Sequence, residues 1–368
     1  MKVAYCIRED YKTRGGGDAV QMLMTKKYLE KYFQDIEIDI LTTPNQLNKQ
    51  YDLCHIFNYS TFQETERYFN KALENKIKIA SSPIYWDYNI TAYQYFSKLK
   101  WFNINEKILT FEIRVLKLIQ KVYPVFTLTS KNFANYCKGF MKNSNVILPN
   151  SIEEFKLLLK FINEEKSINY NFEVVYNATE KDEVKLSHNF FSKYKLPKDF
   201  LLQVGRIEPI KNQLNVVEAL KNDNSIPIVF LGKVFDENYF NHVKKIADKR
   251  GNVFFIKEVP YEDVFDFYKN AHTHILPSLR ESPGLVSLEA YSQGCNIICS
   301  NFPYSPFDTY FKDIAISIDP LDLDSIRKAI NISYTKGKKV ISDEILKIFS
   351  WDNTAKTTYK AYQSILKN

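Results

Sequence analysis

The sequence has little glycine and proline, no long apolar run and only five cysteines. Ten glycines and 13 prolines in 368 residues exclude a collagen-like or low-complexity chain. No apolar stretch reaches the roughly 18 residues that a membrane-spanning helix needs, so we expect none. The chain enters a strand pattern at once, without a basic segment followed by an apolar one, so no secretory signal peptide is expected.

The cysteines argue against a disulfide-stapled secreted domain and against a zinc site. Their number is odd, and their spacing lacks the close pairs of metal-binding motifs. The five are Cys6, Cys54, Cys137, Cys295 and Cys299. Buried thiols in a reducing cytoplasm are the simpler interpretation, so we expect a cytoplasmic protein.

The chain does have enough apolar residues, 45%, and enough length for two or three domains. Short β-rich runs alternate with helical segments, which predicts two doubly wound α/β halves. The strands predicted in the first half are Val3–Ile7, Ile36–Leu41, Leu53–Phe57, Lys78–Ser81, Val125–Thr129, Val146–Leu148 and Val174–Tyr176. Those predicted in the second half are Phe200–Val204, Pro227–Leu231, Val253–Lys257, His274–Leu276, Asn296–Cys299 and Ala315–Ile318.

Two carboxylates, Glu281 and Glu289, lie eight residues apart across the Pro283-Gly284 turn. This turn opens an apolar helix, so one glutamate precedes the helix N-terminus and the other is expected two turns inside it. Carboxylates accept hydrogen bonds from sugar hydroxyls but repel phosphate. The pair therefore indicates a ligand that carries hydroxyl groups.

The same turn predicts an anion site. The first N–H groups of the helix, those of Leu285, Val286 and Ser287, lack intrahelical acceptors and lie at the positive end of the helix dipole. Such an N-terminus binds phosphate. A phosphate site beside carboxylates fits a nucleotide-sugar.

A cationic element lies upstream. Leu201–Val204 is predicted to be a buried strand that leads through Gly205 and Arg206 to a helix beginning near Lys211. Ligands of open α/β sheets bind at the carboxyl ends of the strands. An arginine contacts phosphate in bidentate fashion and a lysine adds a mobile charge, so the two suit a diphosphate. The alternative is that both are solvated surface charges.

Together these motifs resemble glycosyltransferase family 4. The resemblance rests on Gly205-Arg206 with Lys211-Asn212, on Pro277-Ser278, on Glu281-Ser282 through Gly284 to Glu289-Ala290, on the glycine loop Gly15-Gly16-Gly17 and on Phe349-Ser350-Trp351-Asp352. It implies a GT-B fold, with two doubly wound Rossmann-like domains facing a central cleft. The expected divisions are an acceptor-side domain at 1–180, a nucleotide-sugar domain at 181–350, and a closing helix at 351–368 that returns to the first domain.

The resemblance also implies residue roles. Arg206 and Lys211 would hold the diphosphate, Glu281 would contact the transferred sugar, and Glu289 would bind the ribose hydroxyls. The backbone of the donor site would come from Gly16, Gly17, Gly205, Gly284, Leu285 and Val286. The family is retaining and metal-independent, so no metal or cofactor is expected, and the nucleotide-sugar is a substrate.

The first half departs from the family pattern at one position. Several relatives carry a histidine after the strand predicted at Lys78–Ser81, whereas this chain continues to Asp87 without one. We assign Asp87 to the catalytic set, with Glu281, Arg206 and Lys211, as the residue that takes over part of that role. His55, at the end of another predicted strand, is interpreted as structural or as a site residue, the former being favoured.

The net charge of +7 is concentrated between Trp101 and Asn150, where seven residues are basic and two acidic. Four basic residues at helical spacing share one face: Lys107, Arg114, Lys117 and Lys121. This face predicts either peripheral contact with an anionic membrane or a solvated helix surface. No nucleic-acid-binding motif is present.

The sequence therefore predicts a hexosyltransferase that moves a sugar from a nucleotide-sugar donor to a glycan acceptor in surface polysaccharide synthesis. A polyprenyl-linked acceptor at the inner face of the membrane is one hypothesis. The alternatives are a non-catalytic GT-B-like subunit, or a GT-B sugar-nucleotide epimerase. An intact set of Arg206, Lys211, Glu281 and Glu289 argues against the former, and the motifs fit the latter less well.

Overall fold

The computed structural model describes residues 1–14, 16–88, 128–165, 170–180, 189–338 and 340–367. The chain divides into two compact units. Unit 1 comprises Met1–Ala178 and Lys347–Asn368, and unit 2 comprises Thr179–Leu346. Each unit contains one parallel sheet within its described residues.

The sheet of unit 1 has the strand order β2-β1-β3-β4-β5. Its strands are β1 (Lys2–Cys6), β2 (Glu37–Leu41), β3 (Leu53–Phe57), β4 (Lys78–Ser82) and β5 (Val146–Ile147). Its helices are α1 (Tyr11–Arg14), α2 (Gly17–Tyr32), α3 (Phe62–Asn75), α4 (Lys131–Asn143) and α5 (Ile152–Phe161), and the C-terminal α14 (Trp351–Leu366) joins them. Because β1 lies in the interior of the sheet while β2 and β3 flank it, the chain changes direction between β1 and β3, where doubly wound folds bind ligands.

Both faces of this sheet are buried, because successive β1 side chains enter different cores. Val3 and Tyr5 pack with α2 and α14, whereas Ala4 and Cys6 pack with α3, α4 and α5. A parallel strand covered on both faces is buried along its whole length and is mostly apolar, as β3 is, with His55 as its one polar side chain.

The C-terminal helix α14 is fastened to unit 1 by polar contacts as well as by apolar packing. The Tyr362 hydroxyl lies 2.6 Å from Nδ1 of His55, whose Nε2 lies 2.9 Å from the Ser82 hydroxyl. At the helix surface, the Tyr359 hydroxyl donates to Asp35 over 2.6 Å. His55 is 2% exposed, and burial lowers its pKa to about 3, so it is a neutral link between the sheet and α14.

The sheet of unit 2 has the strand order β11-β10-β9-β6-β7-β8. Its strands are β6 (Leu201–Val204), β7 (Ile228–Leu231), β8 (Val253–Ile256), β9 (Thr273–Leu276), β10 (Asn296–Ser300) and β11 (Ala315–Ile318). Its helices are α6 (Phe190–Tyr194), α7 (Gln213–Ala219), α8 (Glu237–Arg250), α9 (Tyr261–Asn270), α10 (Leu285–Ser292), α11 (Phe307–Tyr310), α12 (Leu323–Thr335) and α13 (Asp343–Ile348, which crosses the unit boundary). The neighbours β6 and β9 place the loops of the cationic element and of the carboxylate element side by side.

The predicted parallel α/β class is confirmed, and one predicted strand is wrong. Residues 174–176 form no strand, and the chain just before them makes an isolated bridge between Ile147 and Phe172. The Val175 N–H donates to the Pro149 carbonyl over 2.9 Å. Since proline has no N–H to return, the ladder cannot continue. Most of the predicted strand at Val125–Thr129 lies outside the described residues, and its described end, Leu128 and Thr129, forms a 3₁₀ turn and not a strand.

Candidate functional site

The cationic element of unit 2 is held at the carboxyl edge of its sheet. After β6, the chain passes Arg206 and forms a 3₁₀ turn at Pro209–Lys211 before α7. The Asn212 side chain, at φ +60°, donates to the carbonyls of Pro277 (3.1 Å) and Pro320 (2.8 Å). Asn212 therefore ties the loops after β6, β9 and β11 together.

Lys211 and Glu281, 70 residues apart in sequence, form an ion pair at this edge. Nζ of Lys211 bonds Oε1 of Glu281, and their side chains are 19% and 11% exposed. The Lys211 carbonyl accepts a bond from the Gln203 side chain (2.6 Å), and the Glu281 N–H donates to the Tyr304 carbonyl (2.9 Å). Because an ammonium has three N–H donors, this pair leaves Lys211 able to contact an anion.

Arg206, on the same loop as Lys211, is more exposed than either member of the pair. Its Nη2 is 2.9 Å from Oε1 of Glu208, and its guanidinium lies 4.7 Å from the ring centroid of Phe235. The side chain is 50% exposed. Five N–H donors and a stacked, oriented plane suit bidentate contact with phosphate.

The turn before α10 needs glycine for two reasons. Gly284 has φ +93°, and a Cβ there would lie 2.6 Å from Cδ2 of Leu276. Any other residue would strain the backbone and clash. The helix begins at Leu285 without an acidic residue in its first turn, so the positive end of its dipole is not neutralised from within.

Fewer N–H groups are available to an anion at the start of α10 than the sequence predicted. The Ser287 N–H donates to the Gly284 carbonyl over 3.0 Å. Ser287 is therefore not available to bind an anion, contrary to the prediction from the sequence. The N–H groups of Leu285 and Val286 remain in the first turn, where no intrahelical carbonyl can accept them.

Glu289 lies inside α10 and is held by two tyrosines. It is the fifth helical residue, one turn inside and not two as predicted, because the helix starts only after Gly284. The hydroxyl of Tyr261 donates to Oε1 and that of Tyr268 to Oε2, each over 2.9 Å. Burial raises the pKa of the carboxyl group, and the two hydroxyls oppose that rise without cancelling it.

The predicted glycine loop and Asp87 lie in unit 1. Gly16 has φ +137°, and a Cβ there would lie 2.6 Å from Oδ1 of Asp18. The Asp18 carboxylate accepts bonds from Arg8 Nε (2.9 Å) and from the Asn58 side chain (3.0 Å), beside the start of α2 at Gly17. Asp87 is half-buried, five residues past the end of β4.

The predicted site residues are divided between the two units. Gly16, Gly17 and Asp87 lie in unit 1. The residues in unit 2 are Gly205, Arg206, Lys211, Glu281, Gly284, Leu285, Val286 and Glu289. Sequence reasoning missed Tyr261, Tyr268 and the Arg8–Asp18 pair. Tyr261 and Tyr268 are seven residues apart, a helical spacing that places them on one face, but nothing local identifies Glu289 as their partner.

The predicted basic face of Lys107, Arg114, Lys117 and Lys121, like Gly15, lies outside the described residues. Among the helices that the structure does describe, none has the length and apolarity to cross a bilayer.

Comparison with known proteins agrees with this architecture. Residues 187–339, which include every unit 2 site residue, match the model of the family "Glycosyl transferases group 1". The O-antigen chain mannosyltransferase B of Escherichia coli is 27% identical over 183 residues, 46% of this chain and 48% of that protein. The E. coli serotype-specific mannosyltransferase WbdA is 27% identical over 201 residues, 48% of this chain and 23% of WbdA. The aligned part of the chain thus spans at most about half the length of these relatives.

Solved structures share the fold over nearly the whole chain. Sucrose-phosphate synthase from Thermosynechococcus elongatus superposes with a TM-score of 0.75 at 13% identity, covering 100% of this chain and 99% of that one. Anabaena HepE, in complex with UDP and glucose, superposes with a TM-score of 0.67 at 12% identity, covering 99% and 100%. The chain therefore has the GT-B fold, and its residues 187–339 are similar to the glycosyl transferases group 1.

Proposed function

We propose that this chain is a retaining, metal-independent glycosyltransferase, and that unit 2 binds its nucleotide-sugar donor. The observation that carries the proposal is the clustering of Lys211 and Glu281 with the uncapped start of α10 at one sheet edge. A cation and free N–H groups beside carboxylates match a ligand with both a diphosphate and sugar hydroxyls.

In the proposed reaction, the bond between the anomeric carbon and the diphosphate oxygen breaks, and the diphosphate leaves with the electron pair. The acceptor hydroxyl forms the new bond to that carbon and passes its proton to the departing diphosphate oxygen. Negative charge grows on the diphosphate, where Arg206, Lys211 and the N–H groups of Leu285 and Val286 stabilise it. Positive charge grows on the sugar ring, which Glu281 stabilises.

Glu281 is suited to this role because Lys211 holds it in place. When the diphosphate binds, Lys211 Nζ gains a second anionic partner and bridges Glu281 and the leaving group. The cations are supplied by side chains, so we propose that no metal is required. Turnover should therefore persist in excess EDTA, and loss of turnover that Mg²⁺ restores would contradict metal independence.

For the sugar and the acceptor, we propose mannose and a growing surface glycan, because two sequence relatives are named mannosyltransferases, one of them for the O-antigen chain. As an extension, we propose that the acceptor is polyprenyl-linked at the inner membrane face. The extension rests on the basic face predicted from the sequence between Lys107 and Lys121. Binding to anionic liposomes that fades with salt would support the extension, and failure to bind even at low salt would remove it.

The experiment for the proposed function is a nucleotide-sugar panel, scored by thermal shift and by nucleoside diphosphate release, with and without a mannan-type acceptor. GDP-mannose, UDP-glucose, UDP-galactose and UDP-N-acetylglucosamine cover the common donors. Release that requires acceptor, with retained anomeric configuration in the product, supports the proposal. Epimerised donor without acceptor, or binding without turnover of any donor, would overturn it.

A further inference from the structure

Glu289 is held in an arrangement that the family pattern of two glutamates does not include. Glu289 is 7% exposed, and each carboxylate oxygen accepts one hydrogen bond from a hydroxyl of α9: Oε1 from Tyr261 and Oε2 from Tyr268, both at 2.9 Å. The two donors fix the plane of the carboxylate, because rotation would break both bonds.

This pairing leaves a defined acceptor pattern. Each carboxylate oxygen can accept two hydrogen bonds, and the tyrosines use one on each. The remaining acceptor position on each oxygen matches two adjacent donors, such as the vicinal 2′- and 3′-hydroxyls of a ribose.

The two tyrosines differ in exposure. Tyr268 is fully buried, with its ring edge-on to Phe265 and to His274. Tyr261 is 58% exposed, although its hydroxyl reaches the buried carboxylate. Tyr261 therefore links the exposed surface of α9 to the buried carboxylate.

We propose that Tyr261 and Tyr268 are positioning residues that orient Glu289 for bidentate binding of a ribose cis-diol, so that the site selects ribonucleotide over 2′-deoxyribonucleotide donors. The inference rests on the proposed function, since it takes unit 2 as the donor site. Tyr268 orients the Glu289 carboxylate from the core, and Tyr261 orients it from the exposed surface of α9, where the nucleoside would bind.

Calorimetric titration of GDP, UDP and their 2′-deoxy counterparts into the full chain tests the proposal. The wild type should prefer the ribonucleotide by at least about tenfold, because a site built for a hydroxyl leaves a buried acceptor unpaired without it. Tyr261→Phe removes one hydroxyl from an exposed residue, so folding should be preserved. It should weaken ribonucleotide binding by about five- to tenfold and reduce the 2′-hydroxyl preference.

A double-mutant cycle separates positioning from a general structural effect. In the Glu289→Gln background, Tyr261→Phe should change affinity less than about twofold, because the oriented carboxylate is already lost. Tyr334→Phe is the matched control, since its hydroxyl donates to the Asp199 carbonyl (2.8 Å), at the amino end of the same sheet. It should leave affinity and preference unchanged.

Two results would overturn the inference while leaving the proposed function intact. One is a wild type that binds GDP or UDP without preference for the ribose form. The other is a Tyr261→Phe variant with wild-type affinity, or with the same loss in both backgrounds. If the wild type binds neither nucleotide at millimolar concentration, the proposed function and this inference both fail.

Discussion

The two units each start a helix from a glycine at positive φ, but they treat the helix start in opposite ways. In unit 1, Asp18 lies in the first turn of α2, and its carboxylate accepts from the Ala19 N–H (2.9 Å) and from Arg8. In unit 2, the first turn of α10 contains no acidic residue, and a lysine lies nearby, paired with Glu281. The N-terminus of α2 is thus neutralised from within, whereas that of α10 has no acidic residue in its own first turn and lies beside the Lys211–Glu281 ion pair.

This difference indicates which of the two glycine turns is better suited to bind an anion. Asp18 and Arg8 are 8% and 9% exposed, so their pair belongs to the core of unit 1, where a phosphate would meet a buried carboxylate. The close approach of Asp18 is enough to require glycine at position 16, whether or not Gly16 also contacts a ligand. Donor contacts by Gly16 and Gly17 stay predictions, whereas the electrostatics favour α10 for the diphosphate.

The largest expected effect is on catalysis in unit 2. Lys211→Ala removes the cation nearest Glu281 and the leaving diphosphate, so the transfer rate should fall by about 10²- to 10³-fold. Lys221→Ala, an exposed lysine of the same unit that pairs with Glu218, is the matched control and should be neutral. Nucleoside diphosphate release measures both, and equal rates for the two variants would remove Lys211 from the mechanism.

The corresponding change in unit 1 should affect stability. Asp18→Asn leaves the buried Arg8 with weaker partners and should cost about 3 kcal/mol of unfolding free energy. Asp10→Asn alters a second, half-exposed partner of Arg8 and should cost less than about 1 kcal/mol. Denaturant unfolding of both variants makes the comparison. A fully stable Asp18→Asn variant would show that the pair is not structural.

The pH dependence of that stability has a defined sign. Burial raises the pKa of Asp18, but hydrogen bonds from Arg8 and Asn58 outweigh it, and the net shift is downward. A carboxyl whose folded pKa is lowered stabilises the fold above its unfolded pKa of about 3.9 and loses that contribution as pH falls through the folded value. The gap between wild type and Asp18→Asn should therefore be full at neutral pH, begin to narrow below about pH 4 and close as the pH falls through the lowered folded pKa.

A smaller effect separates binding from stability. Arg206→Ala should weaken nucleoside diphosphate binding by about 1.5–3 kcal/mol, the range for charged hydrogen bonds, without changing unfolding. Arg327→Ala, an exposed arginine that pairs with Asp324, should leave binding unchanged. Calorimetry that finds the two variants alike would return Arg206 to the class of solvated surface charges.

The smallest expected effect divides the two glutamates. Glu281→Gln keeps hydrogen bonding and removes charge, so it should lower kcat roughly tenfold with donor affinity nearly kept. Glu289→Gln should instead weaken nucleotide affinity. If both changes lower only kcat, the division of roles is wrong.

Much of the fold could be predicted because the signals are local. The strands of both sheets are apolar runs bounded by polar turns, and β3 and β11 have the predicted ends. The strand predicted at Val174–Tyr176 is wrong. The apolar pattern of these residues does not reveal that the neighbouring segment, which follows β5, contains Pro149 and cannot continue the ladder.

The site was predictable only as far as motifs reach. The sequence indicates that Lys211 and Glu281 are charged and adjacent to helix starts, but their ion pair depends on β6 and β9 being neighbours. The tyrosines on Glu289 and the Arg8–Asp18 pair were missed for the same reason: each joins segments whose contact is set by tertiary packing.

The central claim is that the carboxyl edge of the unit 2 sheet binds the nucleoside diphosphate of the donor. Calorimetry with GDP and UDP on wild type, Arg206→Ala/Lys211→Ala and Arg327→Ala/Lys221→Ala tests it most directly, because both double variants remove one arginine and one lysine from unit 2. The account predicts micromolar or tighter binding by the wild type and the surface control, and a loss of at least about a hundredfold in the site variant. Equal affinity in all three proteins would contradict the claim.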